Sequence, residues 1–107
     1  MKKEYNKLVR DKIPHILGDK EVTSECIQVS GEELMQRLKD KLQEEALEVY
    51  QATRDTIAEE IADVQEVLDA LIQLYDLDPQ EIRKIQEEKR KKRGGFSEGI
   101  VLLSTEE

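Results

Sequence analysis

The chain has no tryptophan, one phenylalanine, one cysteine, one histidine and two prolines in 107 residues. A single cysteine, Cys26, excludes an intrachain disulfide. With His15 it makes neither a zinc motif nor a supported nucleophile–base pair, so Cys26 reads as a small core residue and His15 as a helix-start or loop residue. Aromatics are 4% and hydrophobic residues 37% of the chain. That composition disfavours a sandwich or barrel and suits amphipathic helices rich in Glu, Lys, Leu, Ile and Ala. No apolar run approaches membrane-spanning length, and the opening "MKKEYNKLVRDK" has no apolar segment of the secretory kind. A soluble, cytoplasmic protein is expected. Positive charge is also in deficit, with 17 Lys and Arg against 25 Asp and Glu and a net charge of −8. The balance argues against nucleic acid or an anionic membrane as partner. A polyanionic substrate would need bridging cations.

What is present is periodicity. The length suits one modest domain, often helped by oligomerisation at this size. It reads as an N-terminal extension over 1–30, a helical core over 31–93 and a tail over 94–107. In the extension, Pro14 and the Gly18-Asp19 turn signal allow only a short helix near 11–17. The polar–apolar alternation of "SECIQVS" suggests a short strand over 24–29, with Cys26, Ile27 and Val29 partly buried. It has a possible partner in the apolar run 100–103, which otherwise would be a packed extension.

Three helix starts are legible. Ser30 with Glu33 reads as a capping box opening a helix over 31–52. A second helix is expected from about Asp55 to residue 76, with Ile57, Ile61, Val64, Leu68, Leu71 and Tyr75 as a bundle seam. Val67 and Leu74 form a second apolar flank, so this helix needs two neighbours, one of them another subunit in an oligomer. Asp78 as cap, Pro79 at the first helical position and Glu81 open a third helix, which stops at Gly94-Gly95. The class is all-α: three main helices and a short N-terminal one, completed or extended to a four-helix bundle by dimerisation.

Acidic residues interrupt the apolar stripes. With Leu38 as origin and about 100° per residue, Leu42 lies at about 40°, Val49 at about 20°, Glu45 at about −20° and Glu48 at about −80°. With Ile57 as origin, Glu60 lies at about −60° and Asp63 at about −120°, beside Val67 and Leu74, whereas Glu59 and Glu66 face the wet side. The pairs Glu45/Glu48 and Glu60/Asp63 are each spaced i,i+3, about one turn apart on one side of a helix. In a chain this acidic roughly two to three Glu-x-x-Glu spacings arise by chance, so position rather than spacing carries the signal. Carboxylates turned toward an apolar stripe repel one another and lose water. They are relieved by binding a cation, by pairing with Lys or Arg, or by sharing protons. Oxygen donors from two adjacent helices suit hard cations such as Mg²⁺ or Mn²⁺. No histidine accompanies them, which disfavours a di-iron centre of the Glu-x-x-His kind. The bland alternative is a solvated charged face.

"EEALE" at 44–48 followed by "EIAD" at 60–63 resembles the EExxE…ExxD signature of MazG-like nucleotide pyrophosphohydrolases, part of the all-α NTP pyrophosphohydrolase superfamily. "YNKLVRDKIP" at 5–14 and "RGGF" at 93–96 resemble its phosphoribosyl-ATP pyrophosphohydrolase-like subgroup. The matches lie in order and span nearly the whole chain. The stretch between Glu48 and Glu60 is at the short end for the family, so "ATRDT" must make a tight connection. The resemblance implies Mg²⁺ or Mn²⁺ held by Glu45, Glu48, Glu60 and Asp63, with Glu44 an outer ligand or water-orienting residue and Glu45 also catalytic. It implies attack on the α–β linkage of a nucleoside triphosphate, releasing a monophosphate and pyrophosphate, as in clearance of non-standard or excess nucleotides. Lys7, Arg10, Lys12, Lys89 and Arg93 are candidate phosphate ligands, and a homodimer or homotetramer is implied. Two alternatives stand beside this: true phosphoribosyl-ATP hydrolysis, and a non-enzymatic helical bundle that binds partners.

Overall fold

Local chemistry starts and stops each helix in the computed structural model, which describes residues 1–107. The order is α1 (Ile13–Asp19), α2 (Gly31–Gln51), α3 (Ile57–Leu74) and α4 (Pro79–Arg93), with no strand. The chain divides into two compact units, Met1–Tyr75 and Asp76–Glu107.

In the first unit, α2 and α3 pack on each other as a helical hairpin. Only five residues, 52–56, join them, which makes antiparallel neighbours the natural outcome. The tightness of this turn has a local cause that the sequence reading missed. The Thr53 backbone N–H donates to the Thr56 hydroxyl at 3.0 Å, and the Ile57 N–H donates to the Thr53 carbonyl at 2.9 Å. Thr56, the N-cap residue, thus turns its hydroxyl back into the connection rather than forward onto α3. The expected box at Ser30 is not made: Ser30 holds the N-cap position without a side-chain hydrogen bond. Gly31, at φ 59°, turns the backbone through the left-handed region just where the Ser30 hydroxyl would have to reach forward.

The core is thin. Only Leu38 of α2 and Val67 of α3 are fully buried, at 6% and 7% exposure. Val64, Leu71 and Leu74 are half-buried, whereas Ile57, Ile61, Leu68 and Tyr75 remain 39–44% exposed. The covered face is therefore shifted from the expected seam: it keeps Val64 and Leu71 but leaves Ile57, Ile61, Leu68 and Tyr75 open. The flank carrying Val67, Leu74, Glu60 and Asp63 completes that face. A helix with two apolar stripes buries first the one its covalently nearest neighbour reaches, and the other waits for a second neighbour.

Residues 1–12 form no helix or strand, yet they are tied to the hairpin. Leu8 is half-buried, and Arg37 Nη1 of α2 donates to the Asn6 carbonyl at 3.2 Å. The strands expected at 24–29 and 100–103 do not form. Val29 is half-buried, but Cys26 is exposed, Ile27 is 78% exposed and the 100–103 run is exposed throughout, so it is not a packed extension either. Alternation alone does not make a strand; it needs a ladder partner, and neither segment has one. His15 sits on α1, exposed, 3.6 Å from Asp19.

In the second unit, the Asp78 side chain accepts from the Gln80 N–H at 2.9 Å, and Pro79 opens α4. The third-helix start is as expected, although Glu81 makes no return bond. Gly94, at φ 82°, ends the helix, and four basic residues fill its last turn, where the helix dipole favours them.

Candidate metal centre

The stripe positions of the carboxylates become a three-dimensional cluster because α2 and α3 run side by side. One carboxylate oxygen each from Glu45, Glu60 and Asp63 lies within 4.8 Å of the other two, and all three residues are half-buried. Glu45 comes from α2 and the i,i+3 pair Glu60/Asp63 from α3. Glu48 is exposed and stands outside the group of three, although its charge reaches Glu60.

The three carboxylates differ in how their charge is met. Asp63 is paired with Arg10, whose Nη2 donates to Oδ1 at 2.7 Å. Glu45 faces Lys41, with Nζ 3.5 Å from Oε1. Glu60 has no cation. Its carboxyl is pushed above the usual range, first by loss of surrounding water and then by the negative charges of Glu48, Asp63, Glu45 and Glu59.

Glu44 lies next to the cluster and behaves in the opposite way. Lys7 Nζ donates to its Oε1 at 2.9 Å and Lys41 Nζ to its Oε2 at 3.4 Å. The Lys7 hydrogen bond, followed by the Lys41 and Lys7 charges, outweighs partial burial and holds the Glu44 carboxyl below its ordinary value. The same bond raises the Lys7 ammonium.

Of the basic candidates, Lys7 and Arg10 thus meet the acidic group. Lys12 is exposed at the N-cap position of α1 and makes no ion pair. Lys89 and Arg93 lie exposed on α4 in the second unit. Lys41 is the residue that sequence reasoning missed. Its signal was there: at about −60° from Leu38 it falls between Glu48 and Glu45 on the same edge of the stripe.

The donor set fits a hard divalent cation. It consists of carboxylate oxygens only, from two helices, with one carboxylate uncompensated. Of the three ways to relieve buried carboxylates, pairing with Lys and Arg is realised at Glu44, Glu45 and Asp63, and Glu60 is left for a cation or a proton.

A family model described as phosphoribosyl-ATP pyrophosphohydrolase matches residues 5–90. The chain belongs to this phosphoribosyl-ATP pyrophosphohydrolase family. The match covers the N-terminal segment from residue 5, α1, the helical hairpin with its acidic cluster and most of α4. Membership supports a nucleotide pyrophosphohydrolase activity in general terms. Together with the cluster of Glu45, Glu60 and Asp63 it supports a divalent metal. No curated protein and no solved structure matches the chain. No helix of this family member is long and apolar enough to cross a membrane.

Proposed function

We propose that the protein is a Mg²⁺- or Mn²⁺-dependent nucleoside triphosphate pyrophosphohydrolase of the cytoplasm that clears non-standard or excess nucleotides. The observation that carries this reading is the convergence of Glu45, Glu60 and Asp63 with Glu60 left uncompensated. Glu45, Glu60 and Asp63 hold the metal, and Glu48, one turn from Glu45, is the fourth ligand. When bound, the ion neutralises polyphosphate charge and makes a water reactive at the α–β linkage. Glu44, kept ionised by Lys7 and Lys41, accepts a hydrogen bond and so orients a water. The bond that breaks is the α–β phosphoanhydride, and the products are a nucleoside monophosphate and pyrophosphate. A protein of net charge −8 has few other ways to receive a polyanion.

Phosphoribosyl-ATP is the second reading, favoured by the description of the matching family. It carries the same phosphoanhydride, and the same carboxylates would serve it. The half-exposed stripe Ile57, Ile61, Leu68 and Tyr75 supports a homo-oligomer, a dimer or tetramer, built on the uncovered face of α3.

The test is pyrophosphate release from a panel of NTPs, dNTPs, damaged nucleotides and phosphoribosyl-ATP with Mg²⁺ or Mn²⁺. At least one substrate is expected to react, and Glu45→Gln to lower its turnover by about 100-fold or more. Preferential cleavage of phosphoribosyl-ATP would select the second reading. Silence across the panel, with the variant still folded, would leave a charged helical bundle with a binding role.

A further inference from the structure

Two kinds of cation meet the acidic cluster, and they differ in how they are tethered. Lys41 is on α2, within about one turn of Glu44 and Glu45, and its backbone is fixed beside them. Arg10 and Lys7 come from the irregular segment before α1. Their pairs, Arg10–Asp63 at 2.7 Å and Lys7–Glu44 at 2.9 Å, are ion pairs with partly exposed side chains, 57% and 40% exposed in the first. Such pairs are weak and readily exchanged. The anchors of the segment are separate from these pairs: Arg37 holds Asn6, and Leu8 is half-buried. Arg10 can therefore release Asp63 while the segment stays attached.

We propose that residues 1–12 form an exchangeable strap, in which Arg10 is the counter-ion of Asp63 before metal binds and a ligand of the substrate's phosphates afterwards. The inference rests on the metal-centre reading above. Asp63 belongs both to the Arg10 pair and to the three-carboxylate group. A dication and a guanidinium draw on the same anionic charge, so metal binding weakens the Arg10 bond. A released guanidinium beside a metal–polyphosphate is matched to phosphate oxygens, which it binds through paired N–H donors. Lys7, between the anchored Asn6 and Leu8, exchanges from Glu44 by its side chain alone and so exposes a carboxylate for the water. The strap keeps the cluster's charge covered in the resting protein and supplies cations when the substrate arrives.

The prediction is a pair of effects of opposite sign from one substitution. Mn²⁺ binding is measured by calorimetry without nucleotide on full-length wild type, Arg10→Gln and Lys3→Gln. Binding of α,β-methylene-ATP, which cannot be cleaved at the α–β position, is then measured at saturating Mn²⁺. Arg10→Gln is expected to bind Mn²⁺ about two- to fivefold more tightly than wild type. It is expected to bind the nucleotide analogue about tenfold or more weakly. Lys3→Gln removes the same charge from the same segment and is expected to change each by less than about twofold. Unchanged or weaker Mn²⁺ binding by Arg10→Gln overturns the proposal, as does unchanged analogue binding or a Lys3→Gln gain equal to that of Arg10→Gln. Glu45→Gln separates the two readings. If it keeps wild-type Mn²⁺ affinity, the metal centre itself is wrong; if it loses Mn²⁺ while Arg10→Gln behaves as wild type, the strap alone is wrong.

Discussion

Lys41 Nζ lies 3.5 Å from Glu45 Oε1, and the two side chains are the most enclosed ion pair of the molecule, at 17% and 13% exposure. Glu45 sits in the middle of the α2 stripe, where a carboxylate without a partner would be costly. Lys41 makes that position tolerable in the metal-free protein. Removing one partner of an enclosed pair costs more than the pair contributes, because the other charge is stranded. Lys41→Met is therefore expected to lower metal-free stability by about 1–2 kcal/mol. Added Mn²⁺ should then raise the melting temperature more in the variant than in wild type, since the metal takes over the missing charge. Thermal melts with chelator and with Mn²⁺ check this; equal Mn²⁺ shifts in the two proteins would show that Lys41 and the metal do not serve the same carboxylate.

Glu60 and Glu44 are two carboxyls whose linkage to pH has opposite sign. The Glu60 value is raised on folding, so its ionised form opposes folding at neutral pH, and that opposition fades as pH falls through the raised value. Glu60→Gln should accordingly melt higher than wild type at pH 7 in chelator, with the gap closing toward pH 4.5. The Glu44 value is lowered, so its contribution is fully present above the ordinary carboxylate range and is lost as pH falls through the lowered value. Glu44→Gln should lose a little stability at pH 7, within about 1 kcal/mol because the Lys7 pair is partly exposed. That difference should vanish in acid. A Glu60→Gln variant less stable than wild type at pH 7 would sink the picture of an uncompensated carboxylate.

Ile61 and Leu68, one face over from Val67, are 44% and 41% exposed on a helix whose other face is covered. If this stripe is an interface between copies, Leu68→Glu should convert an oligomer to monomer while far-ultraviolet circular dichroism stays helical. Light scattering after size exclusion at about 100 μM reads the outcome, a concentration at which an obligate dimer is fully formed. A wild type that is already monomeric there removes the homo-oligomer from the proposal.

Helix limits were legible before the structure because they depend on neighbours in sequence. Asp78-Pro79 starts α4 and Gly94 ends it as their backbone chemistry requires, and the interval between α2 and α3 is as short as "ATRDT" implied. The inward position of Glu45, Glu60 and Asp63 was legible for the same reason: a residue's angle on a helix is set by counting. Where each angle pointed in space was not. The α3 sequence offers two apolar stripes of similar strength, and only packing against α2 chose the Val67 flank over the Ile61 stripe. The cations that meet the carboxylates show the same divide. Lys41 was within reach of helical counting, whereas Arg10 and Asp63 are brought together across 53 positions by a segment with no periodicity to read. Residues 24–29 and 100–103 have alternating or apolar character without a partner, because strand pairing is a property of two segments and neither sequence contains the other. The sequence alone determined an all-α chain with a carboxylate edge on two helices. Tertiary structure decided which face is core, which carboxylate is left without a cation, and which arginine answers Asp63, because those depend on distances between segments that no local pattern encodes.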